Sequence, residues 1–228
     1  MPAGAALEFV ELCRRKRILF VVFVRHANAA PLREGAASRA DKPHDWKEDD
    51  QMRVLTEFGR AQCNDASAWF SQLDVRAALS SPARRAADTA VRMTAATETA
   101  ESKRDAVYLR VVAGVHPAGM SERCEALFDG MGYGPLRSFF DAPGGEEAFL
   151  AYADDVCGEL AAVTAAVDGG GGGVAVFGHA VFLNAIAYKV AVAAGCDDET
   201  KGALLDMDLK ETQAIHVTLE GGTVAQLP

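Results

Sequence analysis

A layered α/β domain on a mainly parallel sheet is the fold class this sequence predicts, and three observations predict it. Short runs at 18–24, 76–80, 107–112, 174–177 and 213–219 are apolar or β-branched, as buried strands are. Longer stretches of helical periodicity, 57–73, 82–96, 145–167 and 180–193, alternate with them, the signature of strands layered between helices. The 228 residues, half of them apolar, are ample for one core. No internal repeat or long linker divides them, so 1–228 reads as a single domain.

The first strand, Ile18 to Val24, is a continuous apolar run between charged neighbours. It is far too short for a membrane span. A signal-peptide core would fit that length, but Glu8 and Glu11 precede it and no small-residue cleavage site follows, so a buried strand explains it better. Residues 27–54 are charged, aperiodic and long for a connection, which points to an active-site loop. The helix at 57–73 places Phe58, Ala61, Ala66, Trp69, Phe70 and Leu73 on one face, with Thr56 as its N-cap. The helix at 82–96 opens on Pro82 behind a capping Ser81. Residues 114–142 form a second candidate active-site insertion. Phe149, Tyr152, Val156, Leu160, Val163 and Val167 recur at helical spacing within 145–167. Gly169 to Gly173 is a glycine run without the Lys-Ser/Thr ending of a phosphate loop, and reads as a flexible helix-to-strand turn. The helix at 180–193 is apolar nearly all round and belongs inside the body. The last strand, 213–219, alternates as an edge or one-face strand does.

Charge narrows the function. Lys and Arg number 23 against 32 Asp and Glu, a formal net charge of −9, which argues against general nucleic-acid binding. The one dense basic run, Arg14-Arg15-Lys16-Arg17, reads as a solvated turn. Cys13, Cys63, Cys124, Cys157 and Cys196 are widely spaced, with neither zinc nor redox spacing. Reduced thiols and a cytoplasmic, non-membrane protein are the expectation.

The chemistry gathers where strands end. Strand 18–24 runs into Arg25-His26, and strand 174–177 into Gly178-His179. Parallel strands open their carboxyl ends onto one edge, where ligands bind. Strand 76–80 ends at Ser80-Ser81-Pro82, and the following helix carries Arg84 and Arg85 in its first turn. Helix N-termini attract anions, and guanidinium forks match phosphate oxygens. Two histidines and arginines without a nearby cysteine suit a phosphoryl group better than a metal, and no cofactor is expected.

Four blocks carry a resemblance: Val24-Arg25-His26-Ala27, Leu55-Thr56-Glu57-Phe58-Gly59-Arg60-Ala61-Gln62, Ser80 to Ala90, and Val176-Phe177-Gly178-His179-Ala180. In this order and spacing the sequence resembles the histidine phosphatase superfamily, the phosphoglycerate-mutase-like group. The resemblance implies a three-layer α/β/α fold. It implies His26 as the nucleophile, Arg25 and Arg85 as holders of the phosphoryl oxygens, and His179 as the second histidine at the transferring group. Of the neighbouring arginines, about 100° of helix rotation separates Arg84 from Arg85. Family register turns Arg85 inward and leaves Arg84 in solvent. Asn28 is a candidate phosphate contact through its amide, and equally a turn residue. His44 and His216 read as solvated and structural.

The sequence departs from the pattern at the general acid. Many members carry Glu or Asp after the strand that follows the arginine helix; here Gly114-Val115-His116-Pro117 places Pro117 at that position. This form resembles the small phosphohistidine-phosphatase branch. His116 and Glu122 are the nearest replacements, although Glu122 also suits a helix start. A metal-independent phosphatase acting on a small-molecule phosphate or a phosphoprotein is the leading expectation. A phosphomutase and a non-catalytic phospho-ligand binder are the alternatives, and oligomeric state is open.

Overall fold

The apolar runs assemble into one six-stranded sheet. A computed structural model describes residues 4–32, 46–95, 108–116, 122–167 and 170–228. His44, Pro117, Gly169 and the expected element ends at 96 and 107 lie outside the described residues. The strands are β1 (Phe20–Arg25), β2 (Val75–Ser80), β3 (Tyr108–Val111), β4 (Gly173–Gly178), β5 (Ala214–Thr218) and β6 (Val224–Leu227). Their order is β3-β2-β4-β1-β5-β6. The first four in that order run parallel, while β5 pairs antiparallel with β1 and β6 with β5.

Both faces of the central strands are covered, which is why β1 and β4 read as unbroken apolar runs. Val21, Phe23, Leu79, Val174, Val176 and Ile215 belong to one core cluster; Val22, Val24, Ala78, Ala175, Phe177 and Ala214 belong to the other. The helices in chain order are α1 (Ala5–Arg15), α2 (Trp46–Gln51), α3 (Glu57–Phe70), α4 (Arg84–Ala95), α5 (Glu122–Met131), α6 (Leu136–Asp141), α7 (Gly145–Thr164), α8 (Ala180–Ala194) and α9 (Asp198–Asp206). α1, α7 and α8 pack together on the first face, with α5, α6 and α9 beside them, and α3 and α4 cover the second. The result is the three-layer α/β/α arrangement. Fully burying a Phe, as at Phe23 and Phe177, is worth about 1.5–3 kcal/mol per side chain, so the two-sided core is the main stabilising term.

Several local expectations change. Phe58 is 64% exposed; the buried stripe of α3 is Gly59, Cys63, Ala66, Ser67 and Phe70, one position round the helix. The helix after β2 begins at Arg84 rather than 82, with Ser81 Oγ accepting from Ala83 N at 3.2 Å. The 213–219 strand is not an edge, because β6 covers its outer side. Its His216 stacks on Phe20 at 4.7 Å. The basic run closes α1 and forms the turn after it, with Arg14, Arg15 and Arg17 exposed as expected. Arg14 also donates to the carbonyls of Leu219 and Ala194, and Lys16 Nζ donates to Val167 O at 2.8 Å, so the run also satisfies carbonyls at the ends of other elements. α1 itself escaped the periodicity argument. Its Ala6, Phe9, Val10 and Cys13 are buried, and the Asp154 carboxylate of α7 accepts from Ala5 N and Ala6 N at its start. All five cysteines are free and buried. In the glycine run, Gly173 is required by packing, since a Cβ there would meet the Phe20 ring at 2.1 Å.

Candidate active site

Strand register brings the two histidines together. β1 and β4 are in step so that Arg25 pairs with Gly178, and His26 N donates to Gly178 O at 3.0 Å. The next residue on each strand is therefore a histidine, and the His26 and His179 ring centroids lie 5.0 Å apart. On the other side of β4, Ser80 pairs with Phe177 and Ser81 N donates to Phe177 O at 2.9 Å. That step delivers Ser81, and then the first turn of α4, to the same edge.

Hydrogen bonds fix both tautomers. His26 Nδ1 lies 2.8 Å from Ala27 O. A carbonyl only accepts, so Nδ1 carries the proton and Nε2 keeps its lone pair. Arg85 Nε donates to that Nε2 at 3.2 Å. His179 Nδ1 lies 3.2 Å from Arg85 Nη2, a donor, so His179 is protonated on Nε2 and donates to Ser81 Oγ at 3.0 Å. Desolvation first, and the Arg85 charge second, lower the His26 pKa to about 3 and hold that of His179 well below the usual imidazole range. Both rings are neutral at pH 7, as a lone-pair nucleophile requires.

Two of the sequence blocks act as a clamp on the turn after His26. Thr56 caps α3, its Oγ1 accepting from Gly59 N at 2.9 Å and donating to Asn28 Oδ1 at 2.7 Å. Gly59 is obligatory by close approach, since a Cβ would stand 2.0 Å from Asn28 O. Gln62 Oε1 accepts from Asn28 N at 2.8 Å. From the arginine helix, Thr89 Oγ1 accepts from Ala27 N at 3.1 Å and donates to Arg85 O at 2.7 Å. The turn after His26 is thereby tied to α3 and α4.

The expected site residues separate into two groups. Arg85 is 3% exposed and touches both histidines, whereas the Arg84 side chain is 53% exposed and faces Asp88 at 3.7 Å. His116 is buried against His179, with ring centroids 5.3 Å apart. Arg25 does not touch the rings. Its Nη1 donates to Leu209 O at 2.5 Å, its Nε has no hydrogen-bond partner among the described residues, and it lines a cavity of about 200 Å³ with Tyr133, Ala180 and Lys210. The Asn28 amide is spent on the scaffold: Nδ2 donates to Glu211 Oε1 at 3.0 Å and Oδ1 accepts from Thr56. Neither end of the amide is directed at the histidines, and its bonds fit the turn-residue alternative. Glu122 is exposed in the first turn of α5 and forms no hydrogen bond or ion pair with the histidines among the described residues.

Sequence reasoning missed Asp50, Ser81 as a histidine partner, and Thr89. Asp50 comes from α2 inside the long connection. Its Oδ2 accepts from Arg85 Nη2 at 2.8 Å and lies 3.6 Å from His116 Nε2, while Oδ1 accepts from Arg53 Nη1 at 3.0 Å. Burial alone would raise its pKa; the His116 hydrogen bond and the Arg85 and Arg53 contacts outweigh it and hold the carboxyl well below the usual range. Nothing in the acidic stretch Glu48-Asp49-Asp50 singles out the third member. Ser81 and Thr89 lay within quoted blocks, and only coordinates reveal which atoms they serve.

A neutral imidazole with a free Nε2, a guanidinium beside it and a second histidine form an arrangement suited to accepting a phosphoryl group. Among the described residues no group of three His, Cys, Asp or Glu is placed to hold a metal ion, and no helix is long and apolar enough to cross a membrane. A cavity of about 300 Å³, lined by Pro31, Leu32, Met52, Arg53, Val54 and Arg84, lies beside the Arg85–Asp50 pair. A concavity of about 1020 Å³ lies at the opposite sheet edge around Arg17, Leu19 and Thr218, and none of these groups lines it.

Comparison with known proteins agrees with this geometry. No curated protein sequence matches the chain. Among solved structures, phosphoglycerate mutase from Bacillus anthracis superposes with a TM-score of 0.53 at 13% identity, covering 93% of both chains. The mycobacterial glucosyl-3-phosphoglycerate phosphatase in complex with VO3 gives 0.51 at 16% identity, covering 87% of this chain and 92% of that one. The protein histidine phosphatase SixA in complex with tungstate gives 0.48 at 18% identity, covering 92% and 96%. The profile of the histidine phosphatase superfamily (branch 1) matches residues 21–194, a span that runs from β1 through α8 and includes His26, Arg85 and His179. On that match, and on a fold shared with phosphoglycerate mutase, this chain belongs to the histidine phosphatase superfamily.

Proposed function

We propose that the chain is a phosphatase that needs no metal and passes the phosphoryl group of its substrate through His26. The observation that carries this reading is the His26 tautomer: Nδ1–H is committed to Ala27 O, so the Nε2 lone pair faces the Arg85 guanidinium beside His179. In the first step Nε2 attacks phosphorus in line. The N–P bond forms, the bond from phosphorus to the leaving group breaks, and its electron pair departs with that group, which takes up a proton from solvent. In the second step water attacks the phosphohistidine, the N–P bond breaks, the electron pair returns to Nε2, and the proton the water gives up goes to solvent. Arg85 stabilises the charge spread over the equatorial oxygens, His179 stands beside the transferring group, and Arg25, at the adjacent cavity, holds a more distant oxygen.

The substrate class is a phosphomonoester or phosphoramidate, on a small molecule or a protein, in the cytoplasm. The solved structures named above include a glucosyl-3-phosphoglycerate phosphatase, so alkyl phosphate esters belong in a substrate screen beside aryl phosphates and phosphohistidine. Acid- and base-quenching with labelled substrate tests the mechanism. The wild type should retain acid-labile, base-stable phosphate, and His26→Ala should retain none. A base-labile adduct, or label persisting in His26→Ala, would overturn the reading.

A further inference from the structure

Asp50 occupies an unusual place for a carboxylate. It is 9% exposed and lies among the cationic and N–H groups that a phosphoryl group would need. Arg85 Nη1 donates to the Asp50 carbonyl at 2.5 Å and Nη2 to Oδ2 at 2.8 Å; Arg53 donates to Oδ1 at 3.0 Å; His116 Nε2 stands 3.6 Å from Oδ2. The remaining Arg85 contacts go to the two histidines. The guanidinium's planar fork is therefore already filled by an internal anion, one residue's carboxylate and carbonyl together.

Arg85 cannot present the same N–H groups to Asp50 and to a phosphoryl group. Placing a dianion beside a buried carboxylate is repulsive, and the repulsion grows as water is excluded. One of the two anions must yield. Arg85, His26 and His179 are anchored by strand ends and by the first turn of α4. Asp50 sits in a six-residue helix within the connection from β1 to α3. The less anchored partner is Asp50.

We propose that Asp50 is an internal stand-in for the phosphoryl group: its carboxylate holds the Arg85 seat until a phosphoryl dianion takes the guanidinium from it. Asp50 thereby determines which anions the site accepts. A singly charged oxyanion gains too little at Arg85 to displace a carboxylate that also holds Arg53. A dianion, with twice the charge and three equatorial oxygens, displaces it. The site then discriminates phosphomonoesters from phosphodiesters and carboxylates by competition, without a steric filter. This inference rests on the phosphatase reading for the identity of the ligand, but its test reads anion binding and needs no turnover.

The test uses the full chain, with inorganic phosphate as the dianionic probe and dimethyl phosphate as the monoanionic one. Asp50→Asn keeps the shape and removes the charge. It should bind phosphate roughly ten- to a hundred-fold tighter than wild type, the range set by losing one charge-assisted competitor. It should also gain binding of dimethyl phosphate. Weaker or unchanged phosphate binding in Asp50→Asn, with the fold intact by circular dichroism, would overturn the proposal. So would failure of both proteins to bind phosphate, whatever a turnover assay reports. A crystal structure of the wild type with vanadate gives a measurement that needs no variant. Arg85 should contact vanadate oxygens with Asp50 Oδ2 beyond hydrogen-bond distance; survival of the Arg85–Asp50 pair in that complex would refute it. A wild type that forms phosphohistidine while Asp50→Asn fails to tighten would remove this inference and leave the phosphatase reading standing.

Discussion

The two halves of the candidate site are built differently. His26, His179, Ser81 and Arg85 come from strand ends and the turn that follows β2, where parallel register dictates their neighbours. Asp50, Arg53 and His116 come from the connections after β1 and after β3. The first half is braced by backbone hydrogen bonds and by the clamp through Thr56, Gln62 and Thr89. The second half is held chiefly by the charges and rings it meets in the site. The difference teaches a division of labour for the proposed reaction: the strand-borne half would carry it, and the connection-borne half would set which anions and leaving groups it serves.

The largest test of that division concerns the leaving group. With His26 as the proposed nucleophile and the His179 proton committed to Ser81, neither strand-borne ring is poised to protonate a departing alkoxide. General acid help is typically worth about 10² to 10⁴ in rate. Aryl phosphates and phosphohistidine, whose leaving groups depart with little help, should therefore be preferred over alkyl phosphates by something of that order. Comparable kcat/KM for alkyl and aryl substrates, with only the alkyl rate collapsing in His116→Ala, would instead give the connection-borne half a direct part in the chemistry.

The arginine pair sharpens the comparison within the strand-borne half. Arg85→Ala removes a charge-assisted contact to the reacting centre and should lower kcat/KM roughly ten- to a thousand-fold. Arg84→Ala should stay within about two-fold, because an exposed i,i+4 ion pair is worth only about 0.3–0.5 kcal/mol. Equal, small losses in steady-state assays of both variants would show that the inward register is not what the reaction uses.

Much of this was legible in the sequence, and the boundary has a physical basis. β1 and β4 announce themselves because two-sided burial makes them continuously apolar, β2 less so because Arg76 and Ser80 interrupt it, and parallel register then brings His26 to His179. Thr56 and Arg85 were readable because caps and helix rotation are local geometry. Asp50 was not readable: its role depends on how an aperiodic connection folds back onto α4, and its acidic neighbours look the same in one dimension. α1 was missed because its apolar face needs the packing against α7 and α8 to be recognised as a stripe. The carbonyl partners that Arg14 and Lys16 find at the exposed end of α1, on Leu219, Ala194 and Val167, were not readable because they are remote in sequence.

Acid should expose the strand-borne half before the rest. His26 stays neutral in the folded chain down to about pH 3 and burial holds His179 well below the usual imidazole range, whereas both take up protons near pH 6.5 when unfolded. The unfolded state then binds more protons between those limits. Folding stability must fall as pH drops below about 6.5 towards about 3, and His216, also lowered by burial, adds in the same direction. Melting temperatures from pH 7.5 to 5 should fall for the wild type and fall less steeply for His179→Asn. Parallel slopes for the two proteins would mean the pair carries no such linkage.

The smallest effect separates a clamp from a cap. Thr56→Val removes the α3 cap and the hydroxyl bond to Asn28, and cap loss typically costs about 1 kcal/mol. Asp197→Ala removes the corresponding cap of α9, where Oδ1 accepts from Thr200 N at 2.8 Å, for a similar cost in stability. α9 packs on α6 and α8, on the other face of the sheet from α3 and α4, and none of its residues lines the two cavities beside the histidines. If the clamp serves only the fold, both variants should lose stability alone, with kcat unchanged at a temperature where each is fully folded. If it positions the nucleophile, Thr56→Val should also lose several-fold in kcat while Asp197→Ala keeps the wild-type value. The second outcome is expected, because Asn28 follows the turn whose Ala27 carbonyl fixes the His26 tautomer, and a shift of that carbonyl would turn the Nε2 lone pair away from its line of attack.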